Sequence, residues 1–130
     1  MKTLREEDKS AILGRGTHAG FDWMIMHNQL GFRCGYVHIP PTHPWYKRGY
    51  DELGCDPDVH GGLTFAGPRL ADDDWWLGFD CGHLGDAQDP TLPHTVQMPS
   101  FGCDQTVRTQ EYVQRECEKL CALAQERATP

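Results

Sequence analysis

The chain has 130 residues, of which 38% are hydrophobic and 24% charged, and its formal net charge is −7 at pH 7. A chain of this length and composition predicts one folded domain and is too apolar for intrinsic disorder. The negative charge argues against general nucleic-acid binding, because phosphate backbones attract clustered Lys and Arg.

The sequence shows neither the pattern of a membrane span nor that of a secretory signal. No run approaches the roughly 18 apolar residues of a membrane span. Residues 1–10 are charged and carry no apolar core of a secretory signal. We therefore expect a cytoplasmic protein without a membrane partner, whose six cysteines stay reduced.

The N-terminal third changes character along its length. Residues 1–16 are polar and end in Gly14-Arg15-Gly16, which predicts an arm or a short helix, and residues 17–130 are predicted to form a single domain. Residues 22–27 and 33–39 are apolar and indicate two strands around a turn. The first of them could instead be a helix, since a short apolar run does not distinguish the two by its period.

A hairpin is the clearest predicted feature in the middle of the chain. Residues 59–66 and 75–81 are rich in strand formers and flank a loop of turn residues, so they should pair antiparallel. Residues 84–105 contain three prolines and little periodicity, and we expect a long surface loop there.

The register of this hairpin follows from side-chain size. We favour a register in which Ala66 lies opposite Trp75. That register gives the bulky Phe79 the space above Gly62. A slip of one residue would place Asp80 opposite His60 instead.

The C-terminal segment predicts a helix over residues 109–127. Thr109 is suited to the N-cap, and Glu111 suits the positive end of the helix dipole. An apolar stripe recurs at steps of three and four residues, formed by Val113, Cys117, Leu120, Cys121 and Ala124. The predicted fold is therefore α+β, a small antiparallel sheet of about four strands with this helix packed on one face.

A candidate metal site lies at the far end of the hairpin. The favoured register sets His60 opposite Cys81, and His83 would share their face. A catalytic zinc needs three such ligands and an open position, and Asp80 or Asp86 could orient a histidine or activate a water. Alternatively, the histidines cap strand ends, Cys81 is a buried thiol, and the nearby glycines only permit close packing.

A second candidate site is the aromatic loop, residues 43–50. Aromatic rings beside cations suit a planar anionic ligand such as a nucleotide, through stacking and charge-assisted hydrogen bonds. The residues that would do so are His43, Trp45, Tyr46, Lys47, Arg48 and Tyr50. The same residues could simply cover one end of the core. The run Asp72-Asp73-Asp74 could mimic phosphates for a basic partner, or be a solvated hairpin tip.

Several motifs together resemble a family of small uncharacterised proteins carried by bacteriophages and prophages. The resemblance covers residues 33 to about 124. Its motifs are Cys34-Gly35-Tyr36-Val37, His43-Pro44 with Tyr46, residues 59–65, residues 75–83 with Gly85-Asp86, and Tyr112-Val113 with Glu116-Cys117. The family brings no assigned activity, and the resemblance implies a phage accessory protein acting in a bacterial cytoplasm.

Two classes of function follow. In the first, the protein is a phage-type accessory factor that could act in counter-defence, either by binding a host or defence protein or by sequestering a small nucleotide-like ligand. In the second, it is a small metal-dependent hydrolase with His60, Cys81 and His83 as zinc ligands and Asp80 or Asp86 as base.

Overall fold

The computed structural model describes residues 12–28, 31–53, 59–60, 62–82, 86–89, 91–92 and 106–128. Within them, five strands form one antiparallel sheet, in the order β1-β2-β3-β5-β4. The strands are β1 (Ile12–His18), β2 (Phe21–His27), β3 (Arg33–His38), β4 (Phe65–Gly67) and β5 (Trp76–Asp80). A 3-10 helix spans Tyr50–Glu52, a short parallel pair joins β6 (Asp86–Ala87) to β7 (Thr106–Val107), and one α-helix, α1 (Gln110–Arg127), follows. The predicted α+β fold with a C-terminal helix on the sheet is confirmed.

Helix α1 forms as its sequence predicts. The Thr109 hydroxyl accepts a hydrogen bond from the backbone N–H of Tyr112, which caps the first turn. All five residues of the apolar stripe are buried, and they face β2 and β3. Among the described residues, no helix combines the length and the apolarity that crossing a bilayer requires.

Both faces of the sheet are buried, against different partners. The first face packs on α1 and contains Trp23, Ile25, Val37, Leu77 and Phe79. The second face contains Met24, Met26, Cys34, Tyr36 and Trp76, with Ile12, Phe65 and Leu70 packed against them. The β4–β5 loop contributes Leu70 to that cover, so this loop belongs to the second core.

Strand β1 corrects the boundary drawn at residue 16. Residues 12–16, assigned from sequence to an arm or a short helix, belong to β1, and residues 1–11 lie outside the described part of the chain. The strand lacks an alternating apolar pattern of its own. The apolar side chain that lies against it is the Trp23 ring, which comes from the neighbouring strand β2. A Cβ at Gly16 would lie 2.5 Å from the Trp23 ring, so the glycine lets that indole lie against β1.

The register predicted for the β4–β5 hairpin is wrong by two residues. Ala66 lies opposite Leu77, not Trp75, and the ladder ends at Phe65, so His60 lies in a turn rather than opposite Cys81. The glycine that makes room for Phe79 is also a different one. It is Gly35 in β3, directly opposite Phe79, rather than Gly62.

A carboxylate inside the β4–β5 loop explains where the loop ends. Asp74 accepts hydrogen bonds from the backbone N–H groups of residues 69–71 and from the indole of Trp76. Four donors converge on one side chain, which fixes the loop and places Trp76 as the first residue of β5. Of the run Asp72-Asp73-Asp74, only the first two residues are exposed.

Candidate functional site

His60 and Asp86 meet where the turn at residue 60 lies against β6. The imidazole Nε2 lies 2.8 Å from Oδ2 and 3.0 Å from Oδ1 of Asp86. An ionised carboxylate only accepts, so Nε2 donates to it. The Asp86 side chain is 1% exposed and that of His60 is 13% exposed, so the pair lies in a region from which water is largely excluded.

Arg108, which follows β7, completes the environment of Asp86. Its Nε donates to Oδ1 of Asp86 at 2.6 Å, and its guanidinium lies 5.1 Å from the centroid of the Tyr112 ring. The hydrogen bond to Asp86 raises the pKa of Arg108 above its ordinary value. A buried carboxylate needs such a partner, because an unpaired charge away from water is strongly unfavourable.

Tyr112 and Glu116 approach His60 from the first turns of α1. The Tyr112 hydroxyl lies 2.7 Å from Nδ1 of His60, and Oε1 of Glu116 accepts the backbone N–H of His60 at 2.8 Å. Burial, and then the charge of Glu116, raise the pKa of Tyr112, so its hydroxyl stays protonated and donates to Nδ1. Asp86, His60 and Tyr112 therefore form a continuous hydrogen-bonded relay.

The other residues of the predicted metal site are placed differently. Cys81 is 1% exposed on the first face, and burial followed by the charge of Asp86 raises the pKa of its thiol. Asp80 lies on the second face, where it accepts from Thr64 Oγ1 and from the backbone of Gly82. His83 lies outside the described residues, among which no group of three or more His, Cys, Asp and Glu side chains could hold a metal ion.

The four described cysteines, Cys34, Cys81, Cys117 and Cys121, are free and buried. Burial is the largest cause of the raised pKa of each thiol, to about 11 for Cys34 and about 12 for Cys121. The thiolate is the reactive form, so we expect these thiols to resist iodoacetamide at neutral pH and to react once urea unfolds the chain. Peptide mapping after timed alkylation measures this, and rapid labelling of any of the four in the native protein would contradict it.

His43 and Trp45, at the start of the aromatic loop, serve the core. The His43 ring accepts the backbone N–H of Trp45 at Nδ1, so its Nε2–H donates to the Ala124 carbonyl at 2.8 Å. That carbonyl is among the last of α1, which have no partner within the helix. Both residues are buried, and His43 ties the loop to the C-terminal end of α1.

The rest of the aromatic loop is held from the β4–β5 loop and turned outward. The Tyr46 hydroxyl donates to the carbonyl of Asp73, and the indole of Trp75 donates to the carbonyl of Arg48. Lys47 and Arg48 are exposed, and so is Tyr50, with 44% of its surface accessible. The structure thus separates a buried anchor, His43 and Trp45, from an exposed surface, and Tyr46 is half-buried between them.

Lys47 has an unusual backbone conformation. Its φ is +60°, in the left-handed region, which costs a residue other than glycine roughly 1–2 kcal/mol. The backbone of Arg48 donates to the carbonyl of Trp45, so Lys47 lies at the position of a turn where glycine or asparagine is usual. Such strain persists only where the surrounding contacts enforce it, and it concentrates at functional sites.

Sequence reasoning singled out His60 and Asp86 but missed Arg108 and Tyr112. The sequence feature that could have indicated Tyr112 is its spacing from Glu116. The two residues lie one helical turn apart at the polar edge of α1. Comparisons of the chain with known protein families, with curated proteins and with solved structures find no match. What these residues do has to follow from their geometry and chemistry.

Proposed function

We propose that the chain is a phage-type accessory protein that acts in the bacterial cytoplasm by binding a host or defence protein. Its contact surface is the exposed part of the aromatic loop, formed by Lys47, Arg48 and Tyr50. The observation that carries the proposal is the strained backbone of Lys47 within an exposed and well-anchored turn.

The chemistry of the exposed loop suits a protein partner. Tyrosine and arginine are the residue types that most often dominate binding energy at protein interfaces. Tyr50 and Arg48 offer one of each, and the Arg48–Glu52 ion pair at 3.6 Å is exposed and therefore weak. A complementary partner would present acidic groups toward Lys47 and Arg48.

The fixed backbone of the loop also favours binding. Ordering a flexible loop on association consumes part of the interaction free energy, and a loop that is already ordered avoids this loss. Hydrogen bonds from Tyr46 and Trp75 fix both ends of the turn that contains Lys47. The resemblance of several motifs to phage and prophage proteins supports a setting in a bacterial host and a role in counter-defence.

The test compares two variants that each relieve a positive φ, one inside the proposed contact surface and one outside it. Lys47→Gly relieves the positive φ, and we expect it to raise the free energy of unfolding by about 1 kcal/mol while it abolishes capture of the partner. Ala19→Gly is the matched control. Ala19 has a φ of +53° in the β1–β2 turn, so its replacement should stabilise the fold by a similar amount and leave binding intact.

The measurement is affinity capture from host cells, quantified by mass spectrometry, alongside urea denaturation of each variant. The same protein recovered stoichiometrically with wild type and Ala19→Gly, and lost with Lys47→Gly and Tyr50→Ala, supports the proposal. Equal recovery with all four baits would place the contact elsewhere. Recovery of a nucleotide and no protein would replace the protein partner with a small ligand.

The relay of Asp86, His60 and Tyr112 favours hydrolysis as a second candidate function. An imidazole held by a carboxylate and facing a hydroxyl has the arrangement of a general base. In the metal-dependent form, His60, Cys81 and His83 would bind zinc. The Cys81 thiol would then have to ionise against its raised pKa, and His60 would have to release Tyr112 or Asp86.

Metal analysis and one conservative variant test the second candidate. Stoichiometric zinc that is lost in the double variant His60→Ala/His83→Ala supports the metal-dependent form, and metal-free protein that melts unchanged with a chelator contradicts it. Tyr112→Phe keeps the ring and removes only the hydroxyl. Hydrolysis of activated ester and phosphodiester substrates that falls in this variant supports a role of the relay, and unchanged hydrolysis removes Tyr112 from it.

A further inference from the structure

Arg69 lies in the β4–β5 loop, over the second face of the sheet. Its guanidinium carbon is 4.9 Å from the centroid of the Tyr36 ring and 5.3 Å from that of Phe65. The two rings meet edge to face, 5.5 Å apart at 88°. The guanidinium is therefore held against two aromatic rings, while Arg69 as a whole is half-buried.

The guanidinium of Arg69 has no charged partner and only a weak hydrogen-bond acceptor among the described residues. One terminal nitrogen lies 3.2 Å from the thioether sulfur of Met26, a weak acceptor, and Nε is buried with no hydrogen-bond partner. Asp74, in the same loop, uses its oxygens for backbone amides and the Trp76 indole. A buried donor without a partner costs about 1–3 kcal/mol and often marks the place of an ion or ligand.

Two other partly buried arginines show what Arg69 lacks. Arg33 donates to Asp89 at 2.8 Å, and Arg108 donates to Asp86 at 2.6 Å. The chain has 19 acidic residues, yet within the described residues none forms an ion pair with Arg69. The missing acceptor is thus one that side chains of the described sheet and loops do not provide.

We propose that Arg69 is the anchor of an oxyanion-binding site on the second face of the sheet, for a phosphate or carboxylate group. The planar fork of Nε and a terminal nitrogen matches two oxygens of such a group, and the rings of Tyr36 and Phe65 hold the guanidinium in place. This site is separate from the aromatic loop and from the relay, so it stands whatever their function.

The neighbouring groups on this face bear on anion binding. Burial raises the pKa of the Cys34 thiol to about 11, so the thiol is neutral at pH 7 and does not repel an anion. Asp80 lies opposite Cys34 in the next strand, and its oxygens accept from Thr64 and Gly82. Its charge weakens anion binding, which favours a ligand that contacts the guanidinium through both oxygens.

The test is calorimetric titration of the full chain with inorganic phosphate and, separately, with acetate, each at the ionic strength of a chloride control. Arg69→Lys keeps the charge without the fork, and Arg69→Met removes both. Arg15→Met is the matched control, since Arg15 is an exposed arginine on β1 that lies opposite Met24 of the same face. We expect affinity to fall by about tenfold or more in both Arg69 variants and to be unchanged in Arg15→Met.

Each result of the titrations answers one question about the proposed site. Binding of phosphate alone or of acetate alone identifies the oxyanion, and binding of both shows that the fork recognises their shared geometry. No heat from either anion beyond the chloride control with the wild-type chain overturns the proposal, as does an equal loss in Arg15→Met. Urea denaturation completes the test, because Arg69→Met removes an unpartnered buried donor and should not destabilise the ligand-free fold.

Discussion

Replacing Asp86 with asparagine is expected to lower the free energy of unfolding by about 3 kcal/mol. The carboxylate accepts from His60 and from Arg108, and its side chain is 1% exposed. An amide of the same size cannot accept both hydrogen bonds at full strength, and it leaves the Arg108 charge without its counter-ion. The exposed quarter of the Arg108 side chain keeps the loss from being larger. Urea denaturation followed by circular dichroism measures the change.

Asp80→Asn is the matched control for Asp86→Asn. Asp80 is also a hydrogen-bonded carboxylate, and two of its donors, Thr64 and the backbone of Gly82, are uncharged and exposed. We expect this variant to cost less than about 1 kcal/mol. Similar losses for the two variants would mean that Asp86 contributes no more than an ordinary hydrogen bond, and the ion-paired relay would then have no special place in the fold.

The second large effect is expected at Gly35, where alanine should destabilise the protein by about 3 kcal/mol or prevent folding. A Cβ at this position would lie 2.4 Å from Phe79 and 2.7 Å from the sulfur of Cys117. Those two residues are at most 1% exposed, and they join the sheet to α1. Neither can withdraw without separating the two layers.

A compensating change tests the cause of that loss. Phe79→Leu shortens the side chain that meets the new methyl group, so the double variant Gly35→Ala/Phe79→Leu should be more stable than the sum of the two single losses predicts. Gly82→Ala is the control, because its Cβ would meet Phe32 at 3.3 Å near the surface. Strict additivity in the double variant would contradict the steric explanation.

The fold was predictable where one element carries its own pattern. The stripe in α1 recurs every three or four residues, and all of its members are buried in the structure. Strands β2 and β3 each contain a short apolar run, which indicated a strand over 33–39 and left a helix open as the alternative over 22–27. In each of these cases the local sequence and the final environment agree.

The prediction failed where the decisive partner is distant in sequence. Strand β1 contains Gly14 and Gly16, and the close neighbours that explain these small residues are Gln110 of α1 at Gly14 and the Trp23 ring of β2 at Gly16. The hairpin register depends on β3, since Tyr36 fills the space left by Gly78 and Phe79 fills that left by Gly35. The sequence of the hairpin alone therefore does not determine its register.

The candidate site shows the same division. His60 and Asp86 attracted attention as residue types, and the structure joins them through a turn and β6 rather than across a ladder. Tyr112 and Arg108 became part of the site only once α1 was placed on the sheet. In the aromatic loop, the sequence could not separate the anchors His43 and Trp45 from the outward Lys47 and Tyr50.

Site-specific photocrosslinking in living host cells tests most directly whether the aromatic loop is a contact surface. A benzophenone-bearing amino acid in place of Tyr50 keeps an aromatic ring at the exposed position, and the same probe in place of Glu111, on the outer side of α1, is the control. We expect one discrete protein adduct from position 50, which is absent from position 111 and is also absent when Lys47→Gly is added. No adduct from position 50, or the same adducts from both positions, would contradict it.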